Sequence, residues 1–215
     1  MIRFLAISFL CSFLLISCSL KTTEGLRQVN VNKTDVENPY FSNTEIDYVY
    51  KAKIDVYNKN FGGILIIKKI GFDSHRVVFT TEFGSKILDF QFDGDNFKKK
   101  FVVKDLDRKI FISILRDDFK LLISESIPVM AAYESESQKI YKTKKDKRFN
   151  FYMLNKGSGK LEKIVSTSKT KEKVEINFIS TEAQPAGGQE NIADSISIKH
   201  NNIKLTIDLE KFKKE

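Results

Sequence analysis

The sequence is poor in the residues that cross-link or bend a chain, and it lacks the largest aromatic residue. It has no tryptophan and three prolines, and both of its cysteines fall within the first eighteen of 215 residues. Beyond residue 18 the chain can therefore form neither a disulfide nor a thiolate metal site, and the domain must be stabilised by its core alone. Eighteen phenylalanines and a hydrophobic content of 41% are enough to build such a core.

Long apolar runs are missing too. The run at residues 5–16 follows one cation, Arg3, and is shorter than the roughly 20 apolar residues that a membrane-spanning helix needs. A charged start and a short apolar run are typical of a secretory signal peptide, which we predict for residues 1–17. A buried apolar N-terminal helix is the alternative.

The end of this run has a pattern of its own. Leu15, Ile16, Ser17 and Cys18 resemble the lipobox of bacterial lipoproteins, which implies cleavage before Cys18 and a diacylglycerol on its sulfur. A thioether-linked diacylglycerol together with an N-acyl chain exceeds the two-signal threshold for stable anchoring. The resemblance to bacterial lipoproteins also implies that Ser19 in place of aspartate directs the protein to the outer membrane, and that a chain without an acidic cluster after the cysteine faces the periplasm. An ordinary signal peptide with a chance cysteine is the alternative.

Catalytic and metal-binding patterns are sparse. The chain has two histidines, His75 and His200, each beside a predicted turn, and we expect both to be solvated loop residues. Catalysis by nucleophile and base requires groups that converge, usually with a histidine or cysteine among them. Asp93-Gly94-Asp95 resembles the start of a calcium loop, but its twelfth position is Lys104 and not glutamate. We therefore predict no enzymatic activity, no metal and no cofactor.

Positive charge dominates, with a formal net charge of +8. Two basic runs stand out, Lys98-Lys99-Lys100 and residues 142–148, which hold five cations and one acid. The predicted compartment excludes nucleic acid as a partner. Anionic lipid headgroups or lipopolysaccharide phosphates are candidate partners, since cations near a charged membrane surface contribute about 1 kcal/mol each. The alternative is a solvated polar face that keeps the protein soluble.

The organisation along the chain changes at about residue 43. Residues 18–42 are polar with scattered single apolar positions, which predicts a flexible tether, and residues 43–215 form the body. Apolar positions then alternate with period two, which predicts half-buried strands. Five strands are predicted at 46–56, 64–67, 76–83, 87–92 and 97–103. A turn is predicted at 58–63, with Gly62-Gly63 supplying positive φ angles.

A helical period follows. Leu106, Ile110, Ile114, Phe119 and Leu122 recur on one face, which predicts a helix over 106–123 with an aspartate as N-cap. Six further strands are predicted at 139–143, 149–154, 161–168, 172–180, 192–199 and 202–209. The predicted fold is mainly β with a minor α part: a curved antiparallel sheet of about ten or eleven strands forms an unclosed barrel, and the helix covers its apolar face.

Several segments resemble the LolB/LolA lipoprotein-carrier superfamily and its uncharacterised Bacteroidetes-type outer-membrane lipoprotein relatives. Besides the lipobox, they are Tyr50-Lys51-Ala52-Lys53-Ile54, Gly63-Ile64-Leu65-Ile66-Ile67, and residues 79–86 leading into Leu88-Asp89-Phe90. The resemblance spans about residues 45–210. It implies a half-barrel whose helix covers an apolar cavity that accepts acyl chains, and no ligand-binding residue of the superfamily matches position for position.

The resemblance suggests two kinds of site, a membrane-contacting loop and an apolar cavity. Residues 59–63 with Phe61 are the candidate for the loop. The cavity-lining candidates are the large apolar residues of the predicted strands and helix: Tyr50, Ile54, Ile64, Ile66, Phe79, Leu88, Phe90, Phe92, Phe101, Ile110 and Ile114.

Two functions remain open at this point. The first is a monomeric, lipid-anchored outer-membrane lipoprotein that binds an acylated ligand, such as lipoprotein acyl chains or lipid, without catalysis. The second is a structural or interaction lipoprotein of the cell envelope, whose core is filled by its own side chains and which docks on envelope proteins. An open or a filled interior separates the two.

The anchor gives the first testable prediction. Cys18→Ala removes the acceptor of the diacylglycerol, so we expect the processed variant to leave the membrane fraction while the natural protein stays in it. Membrane sedimentation followed by immunoblotting measures the distribution. A processed Cys18→Ala protein that still sediments with membranes would contradict lipid anchoring.

Overall fold

The computed structural model describes residues 20–180 and 191–213. The predicted signal peptide, Cys18 and residues 181–190 lie outside the described residues. The described part begins with a short 3-10 helix, Lys21–Thr23, and has one α-helix, α1, at Lys109–Ile123. Its strands are β1 Arg27–Val29, β2 Asp35–Glu37, β3 Asp47–Val56, β4 Lys59–Gly71, β5 Ser74–Thr80, β6 Lys86–Asp93, β7 Asn96–Val102, β8 Ser126–Glu134, β9 Gln138–Lys145, β10 Arg148–Asn155, β11 Leu161–Thr167, β12 Glu172–Ile179, β13 Ser195–His200 and β14 Leu205–Lys211.

All strands belong to one antiparallel sheet. Its order is β1-β8-β9-β10-β11-β12-β13-β14-β3-β4-β5-β6-β7, and β2 pairs separately with β8. The strands β1 and β7 are its two edges, and they do not pair with each other, so the sheet is not closed into a barrel. This confirms the predicted mainly β half-barrel with one helix.

The sheet curls so strongly that distant strands face each other. Asp118 on α1 contacts His200 of β13, and the neighbouring Phe119 lies 6.3 Å, ring centre to ring centre, from Phe90 of β6. Four strands separate β13 from β6 in the sheet order. In a flat sheet these two strands would be ~24 Å apart, far more than the width of one helix. The inner face is therefore a trough with α1 lying in it.

The path of the chain explains the position of α1. The helix follows β7, which is one edge of the sheet, and it leads into β8, which lies next to the other edge. It therefore crosses the side that the sheet leaves open. Its buried residues recur at the spacing of one helical face, as predicted; they are Leu115, Asp118, Phe119, Leu122 and Ile123.

The start of the helix differs from the prediction. The N-cap is Arg108, which makes no side-chain cap, and the first turn contains no acidic residue. Residues 104–107 form turns instead, in which the backbone N–H of Asp107 donates to the carbonyl of Val103 at 3.0 Å. Leu106 is buried before the helix begins, so its apolar side chain anchors the incoming loop.

The predicted turn at residues 58–63 is wrong. The reversal is a two-residue turn at Tyr57 and Asn58, in which Tyr57 has a φ of 52°. Gly62 and Gly63 lie inside β4, paired with Lys53 and Ala52 of β3. Glycine serves here to admit a close neighbour: a Cβ on Gly63 would overlap the carbonyl oxygen of Thr80 on β5.

The predicted tether is corrected from residue 20 onward. Short strands within it, β1 and β2, both pair with β8. Three of its scattered apolar residues, Val36, Tyr40 and Phe41, belong to the main core and are at most 4% exposed. Single apolar positions between polar ones do not give a periodic signal, so the sequence pattern did not reveal them. The segment thus belongs to the packed domain.

The later strands follow the predictions with one omission. The six predicted strands after the helix correspond to β9–β14, with ends shifted by a few residues. The strand β8 was not predicted, because Pro128 argues against a central strand. In the structure Pro128 lies opposite Asp35 of the short β2, close to the sheet edge. The predicted third strand also ends early, at Thr80, which leaves Phe83 97% exposed in a turn.

The two adjacent glycines of β4 provide a matched pair of variants. We expect Gly63→Ala to lower the free energy of unfolding by about 1–3 kcal/mol, because its methyl group displaces the Thr80 backbone. Gly62→Ala meets no atom within 4 Å and should leave the stability unchanged or slightly raised. Urea unfolding of the two variants measures the difference. Equal midpoints would show that β4 and β5 are not this close.

Candidate functional site

The candidate site is the inner face of the sheet beneath α1. Phe119 of the helix packs edge-on against Phe90 of β6, and Phe90 in turn lies 5.0 Å from Phe97 of β7. Leu115 and Leu122 lie on the same helical face and are at most 1% exposed. A ligand that enters from the open side of the sheet must displace these side chains.

The middle of the helix is held by a buried polar pair. The Oδ2 atom of Asp118 lies 2.7 Å from Nε2 of His200, and both side chains are at most 6% exposed. Burial raises the pKa of Asp118, and the hydrogen bond to His200 opposes this shift. A buried carboxylate on the sheet-facing side of a helix is costly unless it is paired. The helix is therefore positioned by a specific contact as well as by apolar packing.

The end of the helix is held by a second polar group. The side-chain amide of Asn38 donates to the carbonyl of Leu122 at 2.8 Å, and its backbone N–H donates to the carbonyl of Glu125 at 2.7 Å. Lys69 of β4 donates to Glu125 Oε2 at 2.7 Å. We call the Asp118–His200 pair together with the Asn38, Lys69 and Glu125 contacts the helix clamp.

The second histidine lies beside this end of the clamp. His75 of β5 is 1% exposed, and its Nε2 lies 2.9 Å from the carbonyl oxygen of Phe41 and 3.5 Å from Glu125 Oε1. Because a carbonyl only accepts, Nε2 carries the hydrogen. Burial lowers the pKa of His75 below its ordinary value of 6.5, so the neutral form is favoured. The prediction that both histidines are solvated loop residues is wrong.

Six of the predicted cavity-lining residues do face the inner side. Their exposed fractions are 2% or less, and they are Tyr50, Ile54, Phe79, Leu88, Phe90 and Phe92. A side chain that lines a space large enough for water presents surface to that space. These side chains present almost none, so they pack against other side chains in this state of the protein.

Three other candidates point away from the interior. Ile64 and Ile66 lie on the outer face of β4, while Leu65 and Ile67 between them are fully buried. Since residues 64–67 are all apolar, alternation cannot indicate which pair faces inward. Ile110 at the start of α1 is 61% exposed.

The remaining candidates lie at the margins. Phe101 on the edge strand β7 is 42% exposed. Ile114 is half-buried and packs against the core. Phe61, the candidate for a membrane-contacting loop, lies instead within β4 opposite Ile54 and also packs against the core. The prediction missed Phe41, which contacts the rings of Tyr48 and Tyr50 and lies in the supposed tether.

Two clefts lie on the outside of the domain. The larger, of about 610 Å³, lies where Gly62 leaves the outer face of β4 without a side chain, and Lys51, Lys53 and Glu210 border it. The smaller, of about 410 Å³, lies between the β6–β7 turn, α1 and the β9–β10 turn. In the smaller cleft Lys145 binds Asp95 at 2.9 Å, so the charges that line this cleft are largely paired within the protein.

Within residues 20–180 and 191–213, no group of three or more histidine, cysteine, aspartate or glutamate side chains is placed to bind a metal ion. In the same residues no helix is long and apolar enough to cross a bilayer.

Comparison with solved structures gives distant likenesses. A LolA superfamily protein from Nitrosomonas europaea aligns with a TM-score of 0.47 and 7% identity, over 79% of this chain and 87% of its own. A putative outer membrane lipoprotein-sorting protein domain from Vibrio parahaemolyticus has a TM-score of 0.43 and 8% identity, over 78% and 83%. A DUF1329 family protein from Desulfovibrio piger has a TM-score of 0.38 and 8% identity, over 76% and 82%.

No protein-family model matches the chain, and neither does any curated protein. Two of the structural neighbours carry names from the superfamily that the sequence resembles, or from lipoprotein sorting. At 7–8% identity, no functional residue of these proteins identifies a residue with the same role in this chain.

The buried histidine gives a prediction for the pH dependence of stability. The pKa of His75 is lower in the folded than in the unfolded protein, so the unfolded state binds the proton more tightly. Its contribution to stability is therefore complete above about pH 6.5 and decreases as the pH falls below that value. We expect His75→Gln, which can still donate to Phe41, to cost about 1 kcal/mol at neutral pH and to weaken this decrease.

Urea unfolding of both proteins at several values between neutral and acidic pH measures the effect. An unchanged pH dependence in His75→Gln would mean that His75 is protonated as easily in the folded as in the unfolded protein.

Proposed function

We propose that this protein is a non-catalytic lipoprotein of the cell envelope, anchored to the outer membrane through Cys18 and facing the periplasm, that binds an acylated ligand beneath α1. The observation that carries the proposal is the position of α1. One helix crosses the open side of an otherwise apolar trough, and polar contacts at two points hold it there.

The chemistry of the helix clamp supports a helix that can move. A helix that never leaves the core is best stabilised by apolar side chains, because a buried ion pair is often no more stable than a hydrophobic replacement. Asp118 and His200 instead bring polar atoms into the trough, and both side chains can be hydrated when α1 swings out. The polar pair therefore reduces the cost of opening relative to an all-apolar contact.

The energies of opening and of ligand binding are of similar size. Exposing Leu115, Phe119 and Leu122 costs about 6 kcal/mol, at about 2 kcal/mol for each side chain. Burying a palmitoyl chain of about 14 methylenes provides about 11 kcal/mol, at about 0.8 kcal/mol for each. The exchange is favourable only when most of the acyl chain is buried, which selects long chains over short ones.

A second function is favoured by the packing of the interior. The six inward-facing candidates expose 2% or less of their surface, and the largest of them are aromatic. A core filled in this way is what an interaction lipoprotein needs, since it uses only its outer surface to dock on an envelope complex. The two functions differ in whether α1 yields to a ligand.

A tryptophan probe distinguishes the two functions. Since the chain has no tryptophan, Ile114→Trp on α1 would be its only indole, and Ile70→Trp at the end of β4 is a matched control at a site 45% exposed. When palmitate or a lysophospholipid is added below its micellar concentration, we expect saturable emission changes from Ile114→Trp and none from the control. Native mass spectrometry should show the corresponding stoichiometric adduct.

The opposite result is equally clear. If no lipid co-purifies, and neither indole responds to the added ligands, the acyl-binding proposal fails and the filled-core interaction lipoprotein is favoured. If both indoles respond equally, the ligand acts on the whole surface and does not enter the space beneath α1.

A further inference from the structure

The described chain begins on the outer face of the sheet. Leu20 and Leu26 pack there against a small apolar cluster that is separate from the main core. The hydroxyl of Thr22, between them, donates to Glu172 of β12 at 2.6 Å. The buried members of the cluster are Ile140, Phe151 and Val165, on β9, β10 and β11.

This contact leaves very little chain between the domain and the predicted anchor. Cys18 lies two residues before Leu20, and two residues span ~7 Å at most. A diacylglycerol on Cys18 is therefore held within about 7 Å of Leu20 on the outer face of β9–β12. The domain cannot stand off from the membrane, and it must present this part of its surface to the lipid.

The surface beside Leu20 is strongly basic. The β9–β10 turn, residues 144–148, carries four cations and one acid, and the β11–β12 segment, residues 169–173, carries three cations and one acid. The pairing of Phe149 with Thr167 places these two hairpin ends side by side. We call residues 144–148 and 169–173 the basic tips.

Most of these cations are free to meet a partner. The exposed cations of the basic tips are Lys144, Lys145, Lys147, Arg148, Lys169 and Lys171. Lys145 binds Asp95 across the smaller cleft, and Glu172 accepts the Thr22 hydroxyl, so one cation and one acid are engaged within the protein. The exposed cation Lys21 lies next to Thr22 and extends the same surface.

We propose that the basic tips dock on the anionic headgroups of the membrane that holds the acyl chains of Cys18, and that this fixes the orientation of the domain. The proposal rests on the proposed lipid anchor. A short link and a basic surface at the same place give two attachments to one membrane. The other end of β10, where the β10–β11 turn carries Lys156, then points away from the membrane.

Lysine labelling of the full lipidated chain in vesicles tests the orientation. Vesicles of phosphatidylcholine alone are compared with vesicles that contain phosphatidylglycerol, and flotation first establishes that the protein is bound to each. In the anionic vesicles we expect labelling of Lys144, Lys147, Lys169 and Lys171 to fall at least about fivefold relative to neutral vesicles. Labelling of Lys156, at the other end of β10, should not change.

Matched charge variants separate docking from anchoring. One replaces Lys144, Lys147, Lys169 and Lys171 by glutamine. The control replaces Lys51, Lys53, Lys68 and Lys156 by glutamine; their side chains are also exposed and lie outside the basic tips. Both should float with anionic vesicles because both keep Cys18. Only in the first variant should Lys21 and Lys173 be labelled as fast in anionic vesicles as in neutral ones.

The outcomes distinguish the orientation from the anchor. A protein that floats with neither kind of vesicle overturns the anchor and the orientation together. A protein that floats with both, with basic tips labelled as fast in anionic as in neutral vesicles, overturns the orientation alone. Equal protection of the basic tips and of Lys156 would also overturn it, because the membrane would then cover no particular face.

Discussion

The contact between one helix and a strongly curled sheet is the constraint on which the rest of the structure depends. An antiparallel sheet that coils without closing leaves one side of its apolar trough open to water. The chain covers that side with α1, which joins the strand at one edge to the strand beside the other. The apolar face of the helix, from Leu115 to Ile123, completes the core, and without it the aromatic residues of β6 and β7 would be exposed.

In this arrangement, α1 and an acyl chain would compete for the same apolar space inside the sheet. The volume beneath the helix is filled by the protein's own aromatic and aliphatic side chains, and an acyl chain can occupy it only by taking the place of α1. The two polar contacts of the helix clamp matter for this reason. Paired polar groups define the position of the helix. When water replaces their partners, they lose less free energy of stabilisation than apolar groups do. Binding and opening would then be one event.

The first residues of the described chain change the picture of how the domain meets the membrane. A polar segment after a lipidation motif suggests a flexible tether, but here β1 and β2 pair with β8 in the sheet, and Leu20 packs on its outer face. In the proposed arrangement, a lipid anchor at Cys18 would join the domain without a flexible tether. The outer face of the sheet beside Leu20 would then approach the lipid, and the inner face beneath α1 would remain for a ligand.

Much of the fold follows from the sequence alone, because period-two alternation in β3 and period-3.6 spacing in α1 each require a half-buried element. Short turns between such elements predict the pairing of consecutive strands, whereas the pairing of β14 with β3 and of β1 and β2 with β8 joins segments distant in sequence. Tertiary structure alone decided which pair of residues 64–67 faces inward, since four adjacent apolar residues carry no alternation. It also decided that Phe41 belongs to the core and that His75 and His200 are buried beside the helix. The positions of such isolated residues depend on partners distant in sequence, and a local sequence pattern cannot predict those contacts.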